Sequence, residues 1–208
     1  KKHNMKKKSL NVKKKILNNL LYHLRDKKIN NIYKKFSKNL SEVKNSNNFA
    51  VAVSGGPDSL SLSFLSKCFA VKNNKKIKFF IVDHKLRKNS LDEARLVKKK
   101  LLDFDINCKI LSWVGKKPKT GIQSKARNKR YELIFNECKK NKIDSLFTGH
   151  HFDDLYENFY LRILRGSGLK GISSFTNVKS EYNNKLNIYR PLININKNEL
   201  IFLSKTIF

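Results

Sequence analysis

Acidic side chains are scarce in this chain. Its 208 residues include 16 Asp and Glu against 46 Lys and Arg, so the formal net charge is +30. A charge of this size predicts a polyanionic partner, most simply a nucleic acid. An AT-rich genome is the alternative explanation, because it enriches Lys and Asn. Such a genome would also raise the Glu content, and we therefore interpret the charge as partly functional.

Cysteine is also rare, and its spacing excludes two common uses. Cys68, Cys108 and Cys138 form no C-x-x-C pair and are odd in number, which argues against a zinc knuckle and a disulfide framework. Reduced thiols are typical of a cytoplasmic protein, with a plastid-like organelle as the alternative. No apolar run approaches the ~20 residues that a membrane-spanning helix needs, so no membrane partner is expected.

The length and the 39% hydrophobic content suffice for one α/β domain with an appendage. We predict a basic helical N-terminal extension at 1–48, a main domain at 49–192, and the start of a truncated C-terminal region at 193–208. Apolar residues with helical spacing mark the extension. The clearest stripe comprises Ile32, Tyr33, Phe36, Leu40 and Val43. It predicts a helix that packs on the main domain, and its basic face is a candidate RNA surface.

The strongest chemical signal is Ser54-Gly55-Gly56-Pro57-Asp58-Ser59, which lies between an apolar run and a helical pattern. Glycines allow the backbone to approach an anion, the two serines add hydroxyl donors, and a helix N-terminus favours negative charge. The order of strand, turn and helix therefore predicts a phosphate site. It is not a Walker A loop, which needs a Lys after its last glycine. An ordinary glycine-rich turn is the simpler alternative.

A carboxylate beside a phosphate requires a cation between them, and Asp58 therefore predicts a bound Mg²⁺. Strands that alternate with helices predict an α/β fold with a doubly wound parallel sheet of about five strands. In the common strand order 3-2-1-4-5, Asp58 would lie across a crevice from Asp153, Asp154 and Glu157. This acidic cluster suits Mg²⁺ or a cationic substrate. A solvated helix face is the alternative.

The loop at 54–59 resembles the pyrophosphatase loop of the N-type ATP pyrophosphatases. Over 49–192 the chain resembles, more specifically, the N-terminal catalytic domain of the tRNA(Ile)-lysidine synthases, which has an adenine nucleotide alpha hydrolase-like fold. The shared segments are Ser54 to Ser59, Val82-Asp83-His84, Ile122 with Ala126-Arg127 and Arg130-Tyr131, His151 to Glu157, Arg165 to Gly171 and Arg190-Pro191-Leu192. The pattern His-x-x-Asp-Asp-x-x-Glu, together with Arg-Gly-Ser-Gly-Leu-Lys-Gly, is the most selective part.

The resemblance implies an ATP-dependent carbon–nitrogen ligase that joins free L-lysine to C2 of the wobble cytidine of an AUA-reading isoleucine tRNA. The cytidine in the anticodon loop would first be adenylated, with ATP and Mg²⁺ as cofactors. The implied site residues fall into three groups. Ser54, Gly55, Gly56, Pro57, Asp58, Ser59, Asp83 and His84 would bind ATP, Asp58 and Asp154 would bind the metal, and Asp58, Asp154, Glu157 and Arg127 would be catalytic. Asp154 and Glu157 would also hold the lysine ammonium group, and Arg127 or Arg130 a carboxylate or phosphate.

Three other functions are compatible with the same loop. A tRNA thiolase would need paired cysteines, which this sequence lacks. An amidotransferase-type synthetase would need a glutaminase portion, which no segment supplies. A non-catalytic tRNA-binding module would keep the fold but show no ATP–pyrophosphate exchange.

Overall fold

The computed structural model describes residues 19–41, 43, 46–115, 120–149, 179–182 and 186–208. Within these residues, six strands form one sheet with helices on both of its faces. The strands are β1 (Asn48–Val53), β2 (Lys76–Asp83), β3 (Cys108–Ser112), β4 (Ser145–Phe147), β5 (Lys179–Tyr182) and β6 (Leu186–Tyr189). The helices are α1 (Lys27–Lys38), α2 (Pro57–Lys72), α3 (Ser90–Leu102), α4 (Ile122–Lys140) and α5 (Lys197–Ile207), and a 3-10 turn spans His23–Arg25.

The strand order across the sheet is β3-β2-β1-β4-β6-β5. β1 pairs in parallel with β2 and β4, β2 with β3, and β4 with β6. These five parallel strands confirm the predicted doubly wound sheet and its order 3-2-1-4-5. The sixth strand, β5, lies antiparallel to β6 at one edge. The connection between these two strands, 183–185, lies outside the described residues.

The central strand β1 explains why the sheet needs helices on both faces. Phe49, Ala50 and Val51 are all fully buried, as expected for a parallel strand covered on two sides. The Phe49 ring stacks on Phe147 of the neighbouring β4, with 4.5 Å between ring centroids. On the opposite face, Ala50 packs in a separate cluster that includes Ile134 of α4. The first cluster thus holds α2 on one face of β1, and the second holds α4 on the other face. β1 is the strand that leads into the glycine-rich loop.

The N-terminal part of the chain packs on the sheet, as the apolar stripe at 32–43 predicted. All five residues of that stripe are buried, and they belong to the same core cluster as β1 and α2. At the other end of the chain, α5 packs on α2, where the Ser61 hydroxyl donates to the Leu200 carbonyl at 2.9 Å. Asn196 and Glu199 form a reciprocal capping box at the start of α5. Helices from the N-terminal and C-terminal parts of the chain thus share one hydrophobic core with the sheet. The division of the chain into three parts stays a prediction.

None of the described helices combines the length and the apolar character that crossing a membrane requires.

Candidate active site

The glycine-rich loop is a tight connection from β1 to α2. Gly55 has φ +91°, a conformation that L side chains rarely adopt, and a Cβ at this position would lie 2.6 Å from Val97 Cγ2. Gly56 is the N-cap residue of α2, and Pro57 occupies the first turn, where its missing N–H costs no helical hydrogen bond. The local sequence therefore fixes a sharp entry into α2 and places the helix N-terminus at the carboxyl end of β1.

Ser59 holds this loop in place. Its buried hydroxyl accepts a hydrogen bond from the Gly55 N–H at 2.9 Å and donates one to the Gly56 carbonyl at 3.0 Å. The hydroxyl proton is thus engaged inside the loop. Ser54, by contrast, is exposed. The two serines, both predicted as phosphate donors, have different surroundings, and the predicted contact with ATP stays a prediction for each.

A cavity of about 190 Å³ opens between this loop, the ends of β2 and β4, and α4. Its lining comprises Ala52, Val53, Ser54, Asp58, Ser59, Val82, Arg127, Arg130, Tyr131, Ile134, Thr148 and Gly149. Apolar side chains from the strands and α4 form one part of this lining, and the loop and the arginines form a polar part. The combination fits a ligand that has both a planar apolar group and phosphates.

Asp58 is the acidic side chain in the described lining of this cavity. It lies in the first turn of α2, where a carboxylate is favoured by the helix dipole. Among the residues that the structure describes, no group of three or more metal-ligating side chains is present. Mg²⁺ commonly binds through one or two carboxylates together with substrate phosphates, and the Asp58 carboxylate beside the phosphate-type loop fits that donor set.

The structure places the ends of β1 and β4 next to each other, as the strand order predicted. A Cβ on Gly149 would lie only 3.5 Å from the backbone N of Ser59 and 3.6 Å from the carbonyl carbon of Asp58. The chain that follows β4 therefore leaves directly beside the loop. The predicted acidic residues on that segment, Asp153, Asp154 and Glu157, lie outside the described residues, and their roles stay predictions.

Two arginines of α4 and one that follows β6 surround Tyr131. The Arg127 guanidinium lies 5.7 Å from the Tyr131 ring centroid. Burial lowers the pKa of both Arg130 and Arg190. The nearby Tyr131 acts to raise the pKa of each group, and the positive charge of Arg127 acts to lower it. Since Arg127 affects both groups, the three cations lie near one another. This concentration of positive charge suits phosphate or carboxylate oxygens.

Arg190 is a candidate site residue to which the sequence assigned no role. It follows β6 directly, and β6 pairs with β4, so Arg190 lies at the carboxyl edge where ligands bind in doubly wound sheets. Its place in the segment Arg190-Pro191-Leu192, which resembles the family, was the available signal.

His84 orients Arg130. The Nε and Nη2 atoms of Arg130 lie 3.3 and 3.2 Å from His84 Nε2. Because a guanidinium has no acceptor, Nε2 must accept, and the ring proton then lies on Nδ1. His84 was predicted to bind ATP. Its described contact is with an arginine of the crevice, and a contact with ATP stays a prediction.

Asp83 is 1% exposed, and its carboxylate lies at the junction between β2 and α3. It accepts hydrogen bonds from the Lys85 N–H at 2.9 Å, the Ser90 hydroxyl at 2.6 Å and the Ser112 hydroxyl at 3.4 Å. These contacts tie the loop after β2 to the first residue of α3. Asp83 was predicted to bind ATP, but its described contacts are with this loop, and the predicted ligand contact remains untested.

Replacing Asp83 by Asn should make stability less dependent on pH. Burial of Asp83 acts to raise its pKa, but the hydrogen bonds and the Lys85 charge outweigh burial, and the pKa lies below the ordinary value of an aspartate. A lowered pKa stabilises the fold above the unfolded-state pKa, and this contribution is lost as the pH falls through the folded-state value. We expect Asp83→Asn to cost about 1–3 kcal/mol at pH 7, and the difference from wild type should shrink below about pH 4.

Urea unfolding at pH 7 and pH 3 measures this difference. Asp103→Asn, at an exposed aspartate, is the matched control and should follow the wild-type pH profile. If the free energy of unfolding differed between Asp83→Asn and wild type by the same amount at both pH values, the assigned role of the ionised carboxylate would be contradicted.

Comparison with known proteins agrees with this geometry. The family model for the PP-loop domain matches residues 23–206. The chain belongs to the PP-loop domain family. Membership of this family implies the use of ATP. The matched range begins before and ends after the main domain predicted at 49–192.

Among curated relatives, the tRNA(Ile)-lysidine synthase of Orientia tsutsugamushi (strain Boryong) is 42% identical over 151 residues, which cover 73% of this chain and 34% of that protein. The tRNA(Ile)-lysidine synthase of Rickettsia rickettsii (strain Sheila Smith) is 38% identical over 182 residues, which cover 88% of this chain and 36% of that protein. The predicted resemblance to these enzymes is thereby confirmed. The chain spans little more than a third of the length of either relative.

Among solved structures, a U34-tRNA thiolase from Methanococcus maripaludis superposes with a TM-score of 0.73 at 19% identity, covering 86% of this chain and 62% of that chain. An FMN adenylyltransferase from Candida glabrata gives a TM-score of 0.55 at 12% identity, covering 93% and 65%. At these identities the similarity shows the fold alone. It confirms the predicted adenine nucleotide alpha hydrolase-like architecture.

Proposed function

We propose that this PP-loop domain carries out the ATP-dependent ligation of L-lysine to C2 of the wobble cytidine of an isoleucine tRNA, forming lysidine. One observation carries the proposal: the 42% identity to an enzyme of that name. The crevice supports it independently. It joins a phosphate-type loop, a carboxylate and clustered arginines at the edge of the sheet where the PP-loop fold would hold a nucleotide.

The proposed reaction has two steps, adenylation of the cytosine and displacement of AMP by lysine. In the first, the O2 atom of the cytosine attacks the α-phosphorus of ATP, the bond to the bridging oxygen breaks, and pyrophosphate leaves. In the second, the deprotonated amine of lysine attacks C2, the C2–O2 bond breaks, and AMP leaves with that oxygen. The chain must therefore hold a triphosphate in one orientation and stabilise charge that develops on its oxygens.

The described residues supply much of what these steps need. The backbone N–H groups at the start of α2 would bind the leaving pyrophosphate, and Ser54 would add a hydroxyl donor. Arg127 would contact phosphate oxygens, and His84 would keep Arg130 oriented towards them. Asp58 would hold Mg²⁺, together with the predicted ligand Asp154; when bound, this ion would offset negative charge on the phosphates.

The rival function of a tRNA thiolase finds no support in the described cysteines. Cys68, Cys108 and Cys138 are buried, and burial raises the pKa of each thiol to about 12. A sulfur relay requires an accessible thiolate. Sulfur transfer would need these cysteines to become exposed and ionised, whereas lysine ligation requires none of them.

The decisive experiment supplies the chain with ATP, Mg²⁺, radiolabelled lysine and an isoleucine tRNA transcript with cytidine at the wobble position. A uridine-wobble transcript is the control. We expect lysine to be incorporated into the cytidine transcript only. Pyrophosphate release without lysine incorporation would restrict the proposal to adenylation. Bound tRNA with neither signal would favour a non-catalytic binding module.

A further inference from the structure

A second and wider cavity lies beside the candidate nucleotide cavity. Its volume is about 530 Å³, within the range of roughly 300–1,000 Å³ that is typical of small-ligand sites. Its lining comprises His84, Leu86, Ile122, Gln123, Ser124, Ala126, Arg127 and Arg130. These residues come from two places: the loop that follows β2, and the first turns of α4.

The two cavities share a wall formed by Arg127 and Arg130. The first cavity already offers an apolar surface for a purine, from Ala52, Val82 and Ile134, together with the loop for its phosphates. A nucleotide held by the loop and this apolar surface would leave the second cavity available to another group. Because Arg127 and Arg130 line both cavities, such a group would meet the nucleotide beside these two side chains.

The apolar lining of the second cavity is accessible to a ligand. Leu86 is 39% exposed and Ile122 is 44% exposed, whereas Ala126 is 8% exposed. Two large aliphatic side chains beside guanidinium groups provide apolar contact and planar cations, and arginine planes stack on unpaired bases. Among the described lining residues, the side-chain amide of Gln123 offers both a donor and an acceptor to a base edge, whereas the Ser124 hydroxyl donates to the Gly121 carbonyl at 3.0 Å.

The charges around this cavity match an RNA backbone. Its described lining contains no acidic residue. Lys85 and Lys88 flank Leu86 on exposed positions of the β2–α3 loop, and Lys125 is exposed on the first turn of α4. Of the nearby cations, Arg87 is paired with Glu93 at 3.1 Å. A base that enters the cavity would therefore have positive charge near its flanking phosphates.

We infer that the second cavity is the acceptor subsite, which takes an unstacked pyrimidine base of an RNA loop against Leu86 and Ile122, with Arg127 and Arg130 at the border where that base would meet the nucleotide. This inference rests on the proposed function, because it places the substrate base of that reaction. It assigns Leu86 and Ile122 to base binding, and it predicts that neither residue contributes to ATP affinity.

The test compares the binding of two RNA hairpins to the 208-residue chain. Both have the sequence of the anticodon stem and loop, and one carries an abasic site in place of the wobble cytidine. We expect the wild-type chain to prefer the cytidine hairpin by roughly tenfold. Leu86→Ala and Ile122→Ala should each reduce this preference roughly fivefold through lost apolar contact, while affinity for the abasic hairpin and for a fluorescent ATP analogue stays within twofold.

Leu96→Ala is the matched control, because Leu96 is 68% exposed on α3 and lines neither cavity. It should keep the full preference for cytidine. Equal binding of both hairpins by wild type, or an unchanged preference in both cavity variants, would overturn the inference. A loss of ATP affinity in these variants would also overturn it, since the cavity would then hold part of the nucleotide. Because this readout needs no turnover, it is independent of whether lysine is incorporated.

Discussion

Replacing Asp58 by Asn should lower tRNA-dependent ATP–pyrophosphate exchange by about 10²–10³-fold, the size of loss expected when one group that stabilises developing charge is removed. Asparagine preserves the shape and the N-terminal position on α2 but removes the carboxylate that would hold Mg²⁺ beside the phosphates. Affinity for tRNA should stay within about twofold, because it depends mainly on Lys and Arg contacts with phosphates.

Asp92→Asn provides the matched control for this experiment. Asp92 is an exposed acid on α3 that pairs with Arg95 at 3.2 Å, and exposed pairs of this kind contribute little to stability. Its exchange rate should equal that of wild type. Raising the Mg²⁺ concentration should partly restore exchange in Asp58→Asn and leave Asp92→Asn unchanged, because a metal ligand is lost in the first variant and not in the second. If Asp58→Asn lost tRNA binding together with exchange, the separation between an acidic catalytic site and a basic RNA surface would be wrong.

Local sequence patterns predicted much of the fold, because the apolar run of β1 ends at turn residues and the apolar stripe at 32–43 has helical spacing. The buried acid Glu137 on α4 could not be predicted. Its carboxylate accepts from Lys109 of β3 at 2.6 Å, and this partner becomes adjacent only when the crossover from β3 packs α4 on the sheet.

The site was predicted less completely, for a related physical reason. A sequence motif identifies residue types near a ligand, but it does not show which polar atoms are used by the protein itself. Asp83 and Ser59 belong to motifs of the family, yet the described hydrogen bonds of both are made with the protein itself. Arg190 lies in a segment that resembles the family, and the pairing of β6 with β4 brings it to the carboxyl edge of the sheet. Backbone requirements were easier to predict, since glycine in a sharp strand-to-helix turn has few alternatives.

Replacing Gly55 by Ala should destabilise the fold by about 2–4 kcal/mol and abolish measurable ATP binding. Two physical terms contribute. Alanine at φ +91° is strained by about 1–3 kcal/mol, and its Cβ would overlap Val97 Cγ2, so that the loop or α3 must shift. Thermal unfolding should show a melting temperature lower by roughly 6–12 °C for a chain of this size.

Gly56→Ala is the control for Gly55→Ala. It removes a glycine from the same loop without the backbone strain or the steric overlap expected at Gly55. Gly56 has φ −73°, and a Cβ there would meet no atom within 4 Å, so its melting temperature should stay close to that of wild type. Val97→Ala removes the methyl group that the new Cβ would strike. Gly55→Ala should therefore cost less in the Val97→Ala background than alone, a non-additivity that a double-mutant cycle measures directly. Additive effects of the two substitutions would show that backbone strain alone determines the cost, and that the close approach of α3 does not constrain the phosphate loop.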